Sequence, residues 1–261
     1  MDISKIKSYV INLQKNKEKY DRILKNMNEL NIIPERFDAI YGKDLDKEYI
    51  NKITNPYVNY TLNTERNIDS DIGTLGGIGC YLSHLELWKL LLDSDKDIFL
   101  ILEDDAKQIN QSLKDINDFI NNVNNICPDW DLIYLGYHKP FPNYNLDIKI
   151  NDNIYKIKEI TFQTHAYLIN RKGALKLLEK SIPIVHQVDS YISFMAISDN
   201  FNAYRGKNNY IVQRNNEGTE IQTDSSKIKL IINRLKDKTI KIILLILIIL
   251  IIILIVFINK K

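Results

Sequence analysis

The sequence is poor in cysteine, with only Cys80 and Cys127 among 261 residues. One pair is too few for a disulfide framework, so the fold must rest on a packed core, which a chain of this length can bury. A reducing compartment fits, and an oxidising one stays open. Excess charge of either sign is also missing: Lys and Arg total 35 against 33 Asp and Glu, a formal net charge of +2. Bulk electrostatics therefore give no support to nucleic acid as a partner. Internal repeats are absent. Met1 to Lys7 is polar with no apolar stretch behind it, so no cleavable signal peptide is expected. The triplets Asn59-Tyr60-Thr61 and Asn110-Gln111-Ser112 match a glycosylation sequon, but in so Asn-rich a chain they arise by chance.

The longest apolar run lies near the C-terminus, where every residue from Ile242 to Ile258 is Ile, Leu, Val or Phe. As a helix it would span ~25 Å, close to the hydrocarbon thickness of a bilayer. Lys241, Lys260 and Lys261 can snorkel at its ends. A buried core helix is the alternative, but it would need protein on every face. Upstream, Lys227, Lys229, Arg234, Lys236, Lys238 and Lys241 form a basic collar. Ile228, Ile231, Ile232 and Leu235 fall on one helical face, as in a stretch lying on an anionic leaflet or in a solvated linker helix. The expected organisation is a catalytic domain over 1–222, a basic juxtamembrane segment over 223–241, a single transmembrane helix over 242–258 and a short tail over 259–261. Positive charge concentrated before the helix predicts a cytoplasmic domain inserted tail-first.

Within 1–222 the pattern alternates between strand and helix. Ser8 to Leu13 reads as a buried first strand, Glu18 to Leu30 as a helix and Arg36 to Ile40 as a second strand. Residues 41–72 show little periodicity and read as a long surface insertion. Cys80 to Leu92 carries a helical apolar pattern, and Ile98 to Leu102 is an uninterrupted apolar run expected to be a central strand. Leu113 to Val123 and Arg171 to Lys180 read as helices. Leu132 to Leu135, Tyr155 to Ile160 and His165 to Ile169 read as strands. The alternation predicts an α/β domain with a mostly parallel sheet.

The apolar run Phe99 to Leu102 ends abruptly in Glu103, Asp104 and Asp105. Ligands of open α/β sheets bind beyond the C-terminal ends of strands. Three carboxylates there repel one another unless they are solvated, as in a plain acidic turn, or bridged by a hard cation such as Mn²⁺ or Mg²⁺. Alternate residues of an extended backbone point the same way, so Glu103 and Asp105 can face one ion. The glycine-dense run from Gly73 to Gly79 precedes a helix and can either offer backbone N–H groups to a phosphate or form a tight helix start. It matches neither the Walker pattern nor the dinucleotide fingerprint.

The stretch Gly76-Gly77-Ile78-Gly79-Cys80-Tyr81-Leu82-Ser83-His84-Leu85 with Trp88, followed by Leu100 to Asp105, resembles the core signature of glycosyltransferase family 25. Further similar motifs follow in order: Tyr9 to Leu13, Phe37-Asp38-Ala39 with Gly42, Asp129 to Leu132 with Leu135-Gly136, Thr164 to Ile169 with Gly173-Ala174, and Val188-Asp189. The resemblance implies a GT-A type fold and a metal-dependent, inverting transfer of hexose from a UDP-sugar to a glycan, lipid or protein hydroxyl. Under it, Glu103 and Asp105 would hold the metal and Asp104 would sit beside the ribose or ion shell. Gly79, Ser83 and His84 would shape the donor pocket, and Asn12 would touch the nucleotide base. His165 would complete the metal or diphosphate shell, with a satisfied strand histidine as its alternative. Asp189 would be the catalytic base, or else a helix cap. Two other readings are a membrane-anchored scaffold that has lost turnover and a metal-dependent phosphotransfer enzyme using the same carboxylates.

Overall fold

The computed structural model describes residues 1–64, 68–109, 111–140, 146–198 and 200–214. The basic collar, the apolar run 242–258 and the sequon at Asn110 lie outside the described residues. No helix among those described is long and apolar enough to cross a membrane.

Strand β1 (Lys7–Asn12) is followed by helix α1 (Lys17–Asn28) and strand β2 (Glu35–Asp38). Helices α2 (Lys47–Ile53), α3 (Pro56–Thr64) and α4 (Leu75–Asp93) lead to strand β3 (Ile98–Glu103). Next come β4 (Ala106–Gln108), α5 (Leu113–Ile126), β5 (Leu132–His138), β6 (Ile148–Lys149), β7 (Ile154–Lys156) and β8 (Phe162–Asn170). Helices α6 (Arg171–Glu179) and α7 (Val188–Ile197) and strands β9 (Ala203–Gly206) and β10 (Ile211–Gln213) complete the fold. Eight strands form one sheet in the order β2-β1-β3-β8-β5-β9-β7-β6, and β10 pairs separately with β4.

The period-2 rule of extended chain explains why both faces of the sheet are covered. Phe99, Ile101, Leu132, Tyr134, Tyr167 and Ile169 join one core with α4, α6 and α7 residues such as Trp88, Leu177 and Ile192. Their alternates Leu100, Leu102, Ile133, Leu135, Ala166 and Leu168 join a second core with Ile23 and Met27 of α1 and Phe119 and Ile120 of α5. Cys80 packs against the first core and Cys127 belongs to the second, and both are free thiols.

The expected α/β layering is present, but the sheet is mixed rather than mostly parallel. β1 runs parallel to β2 and β3, and β5 runs parallel to β9. β8 lies antiparallel between β3 and β5, and β7 runs antiparallel to β6 and β9. Parallel neighbours need a crossover, usually a helix. Helix α1 supplies one between β1 and β2, whereas no helix stands between β5 and β8 among the described residues.

The described residues of 41–72 are not a loose surface insertion. They fold into a 3₁₀ turn (Gly42–Asp44), α2 and α3. The Asp46 carboxylate caps α2 by accepting from the backbone N–H groups of Glu48 and Tyr49. Ile50, Ile53, Val58 and Ile72 are buried in the α4 core. Their apolar side chains are diluted among Asn, Asp and Lys, so each short helix falls below the length at which periodicity shows. The expected strand at Tyr155 to Ile160 is also shorter, since the ladder ends at Lys156.

Helix α4 begins five residues earlier than its apolar pattern suggested, with the Thr74 side chain capping it by accepting from Gly77 N–H. Gly76, Gly77 and Gly79 are therefore inside the helix, and Gly73 precedes its cap. A Cβ on Gly79 would lie 2.4 Å from the Ile40 carbonyl oxygen, and one on Gly42 would lie 1.7 Å from that of Leu75. These two glycines let α4 press against the segment following β2. At its other end, the Arg171 guanidinium donates to the Leu91, Leu92 and Ser94 carbonyls, satisfying groups that the helix leaves open.

Candidate functional site

Strands β1, β2 and β3 end side by side, with Ile11 opposite Glu103 and Asn12 opposite Asp38. Beyond that edge lies a cleft of ≈ 690 Å³, counting its open side, walled by Tyr41 and Gly42, by Gly76, Cys80 and Ser83 of α4, and by the three acids. Lys19 of α1 also lines it, beside Asp104.

Each carboxylate is anchored differently. Glu103 is the last residue of β3, and Asp104 and Asp105 form a turn, so extended alternation stops before Asp105. Glu103 Oε1 accepts from Thr164 Oγ1 at 2.6 Å and lies 3.3 Å from His84 Nε2. Leu102 pairs with Ala166, which brings Thr164 beside the strand end. Burial pushes the Glu103 carboxyl up, but the contact with His84 and the hydrogen bond from Thr164 outweigh it and hold the group low. Asp104 accepts from Asn12 Nδ2 at 2.8 Å and faces Lys19 Nζ at 4.0 Å. Asp105 accepts from Gln213 Nε2 at 2.7 Å, while its Oδ1 is buried without a hydrogen-bond partner among the described residues. Burial first, and then the charge of Glu103, push Asp105 up to about 7.

A buried polar chain stands behind Glu103. Trp88 Nε1 donates to Tyr167 Oη at 3.0 Å, and Tyr167 Oη lies 2.8 Å from His84 Nδ1. Tryptophan can only donate. With the Tyr167 hydrogen directed at His84 Nδ1, Nε2–H is left to donate to Glu103. His84 is fully buried and does not line the cleft, where its partner Glu103 does.

Ser83 lines the cleft, donates to the Gly79 carbonyl at 2.7 Å and accepts from Ile40 N–H at 2.9 Å. It ties the helix to the cleft wall. Gly79 is buried in that same contact and is absent from the cleft lining. Asn12 is buried, with its Nδ2 donating to Asp104 and to the Asn16 carbonyl and its Oδ1 without a partner among the described residues.

His165 does not join the carboxylates. Its Nε2 donates to the Ile211 carbonyl at 3.0 Å, and its ring packs where a Cβ on Gly136 would sit. Burial lowers its pKa and keeps it neutral. Asp189 accepts from Gln163 N–H at 3.0 Å and from Ser190 N–H at 2.6 Å, in the first turn of α7 rather than at its cap, which is Gln187. Burial raises its carboxyl, and the charge of Glu103 adds to that rise. Asp189 does not line the cleft.

Thr164, Tyr167, Gln163 and Gln213 received no role from the sequence. Gln163 takes a left-handed backbone, φ 73°, which places its N–H on Asp189 while its side chain bonds Gln213. Thr164 and Tyr167 lie in the motif Thr164 to Ile169, but only tertiary pairing brings the four residues to the acids, and Gln163 and Gln213 carry no local signal. The orphaned Asp105 oxygen beside two further carboxylates fits a hard divalent cation, which such sites bind through oxygen.

The family model described as "Glycosyltransferase family 25 (LPS biosynthesis protein)" matches residues 5–192. Human procollagen galactosyltransferase 2 is 28% identical over 180 residues, covering 65% of this chain and 27% of that protein. A glycosyltransferase 25 family member from Aedes aegypti is 28% identical over 196 residues, covering 72% of this chain and 30% of the relative. The chain thus spans under a third of the length of these two relatives. A solved CMP:2-keto-3-deoxy-manno-octonic acid synthetase complexed with CTP aligns with a TM-score of 0.40 and 10% identity, covering 88% of this chain and 98% of that one, a likeness too distant to bear on the fold.

Proposed function

Because the chain belongs to glycosyltransferase family 25, we propose that it transfers a hexose, galactose or glucose, from a UDP-sugar to a hydroxyl of a glycan, lipid or protein, with inversion and with Mn²⁺ or Mg²⁺. The observation that carries this reading is the anchored acidic edge, with its orphaned Asp105 oxygen, opening into a cleft at the ends of β1 and β3. The name of the human relative supports galactose.

In this reading Glu103 and Asp105 hold the ion, and Asp104, kept in place by Asn12, sits beside the ribose or ion shell. When bound, the cation neutralises the charge of the departing nucleoside diphosphate. Lys19, which lines the cleft beside Asp104, can meet a diphosphate oxygen. The acceptor oxygen forms its bond to the sugar carbon as the bond to the diphosphate breaks, and the hydroxyl proton passes to a carboxylate. This reading gives that role to Asp189, whose proton affinity burial raises against the opposing hydrogen bonds from Gln163 and Ser190. The apolar run 242–258 anchors the domain to a membrane, with the domain on the cytoplasmic side.

UDP release from UDP-galactose and UDP-glucose, with and without Mn²⁺, tests the proposal. Release should require the ion. Calorimetry showing equal UDP affinity with and without Mn²⁺ would remove the metal from the reading, and no release from any sugar nucleotide would remove the transfer.

A further inference from the structure

We propose that Cys80, His84 and Glu103 form a second metal site, selective for a borderline-soft ion such as Zn²⁺ and separate in its chemistry from the oxygen site of the acidic edge. Cys80 and His84 are four residues apart on α4 and so share one helical face, and Glu103 meets that face from the end of β3. One ligand atom from each of the three lies within 4.8 Å of both others.

The geometry is close to that of a bound ion. In a tetrahedral zinc site with bonds of about 2.0 to 2.3 Å, neighbouring ligand atoms stand roughly 3.3 to 3.6 Å apart. His84 Nε2 and Glu103 Oε1 already stand 3.3 Å apart. Only the Cys80 thiol has to close in, and a rotation about its single side-chain torsion moves it without moving the helix. Cys80 also lines the cleft, which gives an ion a way in and leaves the fourth position facing open space.

The supporting groups are those that zinc ligands use. A metal-bound histidine holds its orientation by donating its other ring N–H, and His84 Nδ1 has Tyr167 Oη at 2.8 Å as acceptor. If that hydroxyl accepts from His84 Nδ1–H as well as from Trp88 Nε1, giving up its own bond to Nδ1, His84 changes tautomer and Nε2 is free for the ion. Glu103 is oriented by Thr164 Oγ1. Thiolate and imidazole favour Zn²⁺ or Co²⁺ over Mn²⁺ and Mg²⁺, whereas Asp104 and Asp105 offer only oxygen. The two sites share Glu103, so Zn²⁺ should compete with the ion of the acidic edge.

The full-length chain titrated with Co²⁺ provides the test, because a Co²⁺–thiolate bond gives a near-ultraviolet charge-transfer band that oxygen ligands do not. The expected result is a band that saturates at one equivalent and is displaced by Zn²⁺. It should be lost in Cys80→Ser and kept in Cys127→Ser and Asp105→Asn. A chain without the band, or a band that survives in Cys80→Ser, would overturn the proposal. A second measurement needs no variant: Zn²⁺ should slow alkylation of Cys80, read by mass spectrometry, and an unchanged rate would also overturn it. Both readouts are independent of turnover. If they fail while Mn²⁺-dependent UDP release persists, the soft site alone is refuted. If they succeed in a chain that releases no UDP, the transfer reading alone is refuted.

Discussion

Asp105 concentrates the electrostatic tension of the site. Its carboxyl is raised from 3.8 to about 7, so in metal-free protein the folded chain binds this proton more tightly than the unfolded chain does. The resulting stability is fully present below the unfolded value and is lost as pH rises through about 7. Melting in chelator should therefore fall as pH rises across that window, and Asp105→Asn should flatten the dependence and raise the melting temperature above it. A variant that melts lower than wild type above that window would mean that the carboxylate supports the fold. Thr164→Val removes a hydrogen bond to a charged group, which typically contributes about 1.5–3 kcal/mol. The valine variant should still fold, with weaker Mn²⁺-dependent UDP affinity measured by calorimetry.

At the scale of elements, the cleft depends on how closely α4 approaches the segment after β2. Gly42→Ala and Gly79→Ala each place a carbon against backbone oxygen, at 1.7 and 2.4 Å. Backbone cannot yield as a flexible side chain can, so each variant should lose about 1–3 kcal/mol or more in urea melts and also weaken UDP binding. Ser112→Ala makes the contrast. It breaks the capping box that Ser112 and Asp115 form at the start of α5, remote from the cleft. Its expected cost is about 1 kcal/mol with UDP release unchanged. If the glycine variants melt lower yet bind UDP normally, α4 does not set the cleft wall.

For the whole molecule, what is open to test is the membrane anchoring proposed for the apolar run 242–258. Removing it should shift the chain from the membrane pellet to the supernatant, while protease added to intact membranes should digest the full-length domain. A deletion that stays in the pellet, or a domain protected from protease, would contradict the anchoring or the orientation proposed here.

Those features legible in the sequence were the ones that local pattern writes. The apolar runs of β1 and β3 and the helical spacing of α1 and α5 each suffice by themselves, because burial on both faces or on one stripe leaves a periodic trace. The abrupt change from Leu102 to Glu103 marked the strand edge for the same reason. Tertiary structure alone decided the rest. Thr164 reaches Glu103 across 61 positions and Gln213 reaches Asp105 across 108. Those contacts depend on β8 entering the sheet antiparallel and on β10 pairing with β4, and register between distant strands leaves no mark at either end of the chain. The same non-local packing set His165 on the Ile211 carbonyl and placed Gly79 of α4 in close contact with the segment after β2. A sequence fixes which groups are available for a site. The fold decides which of them are already committed to one another.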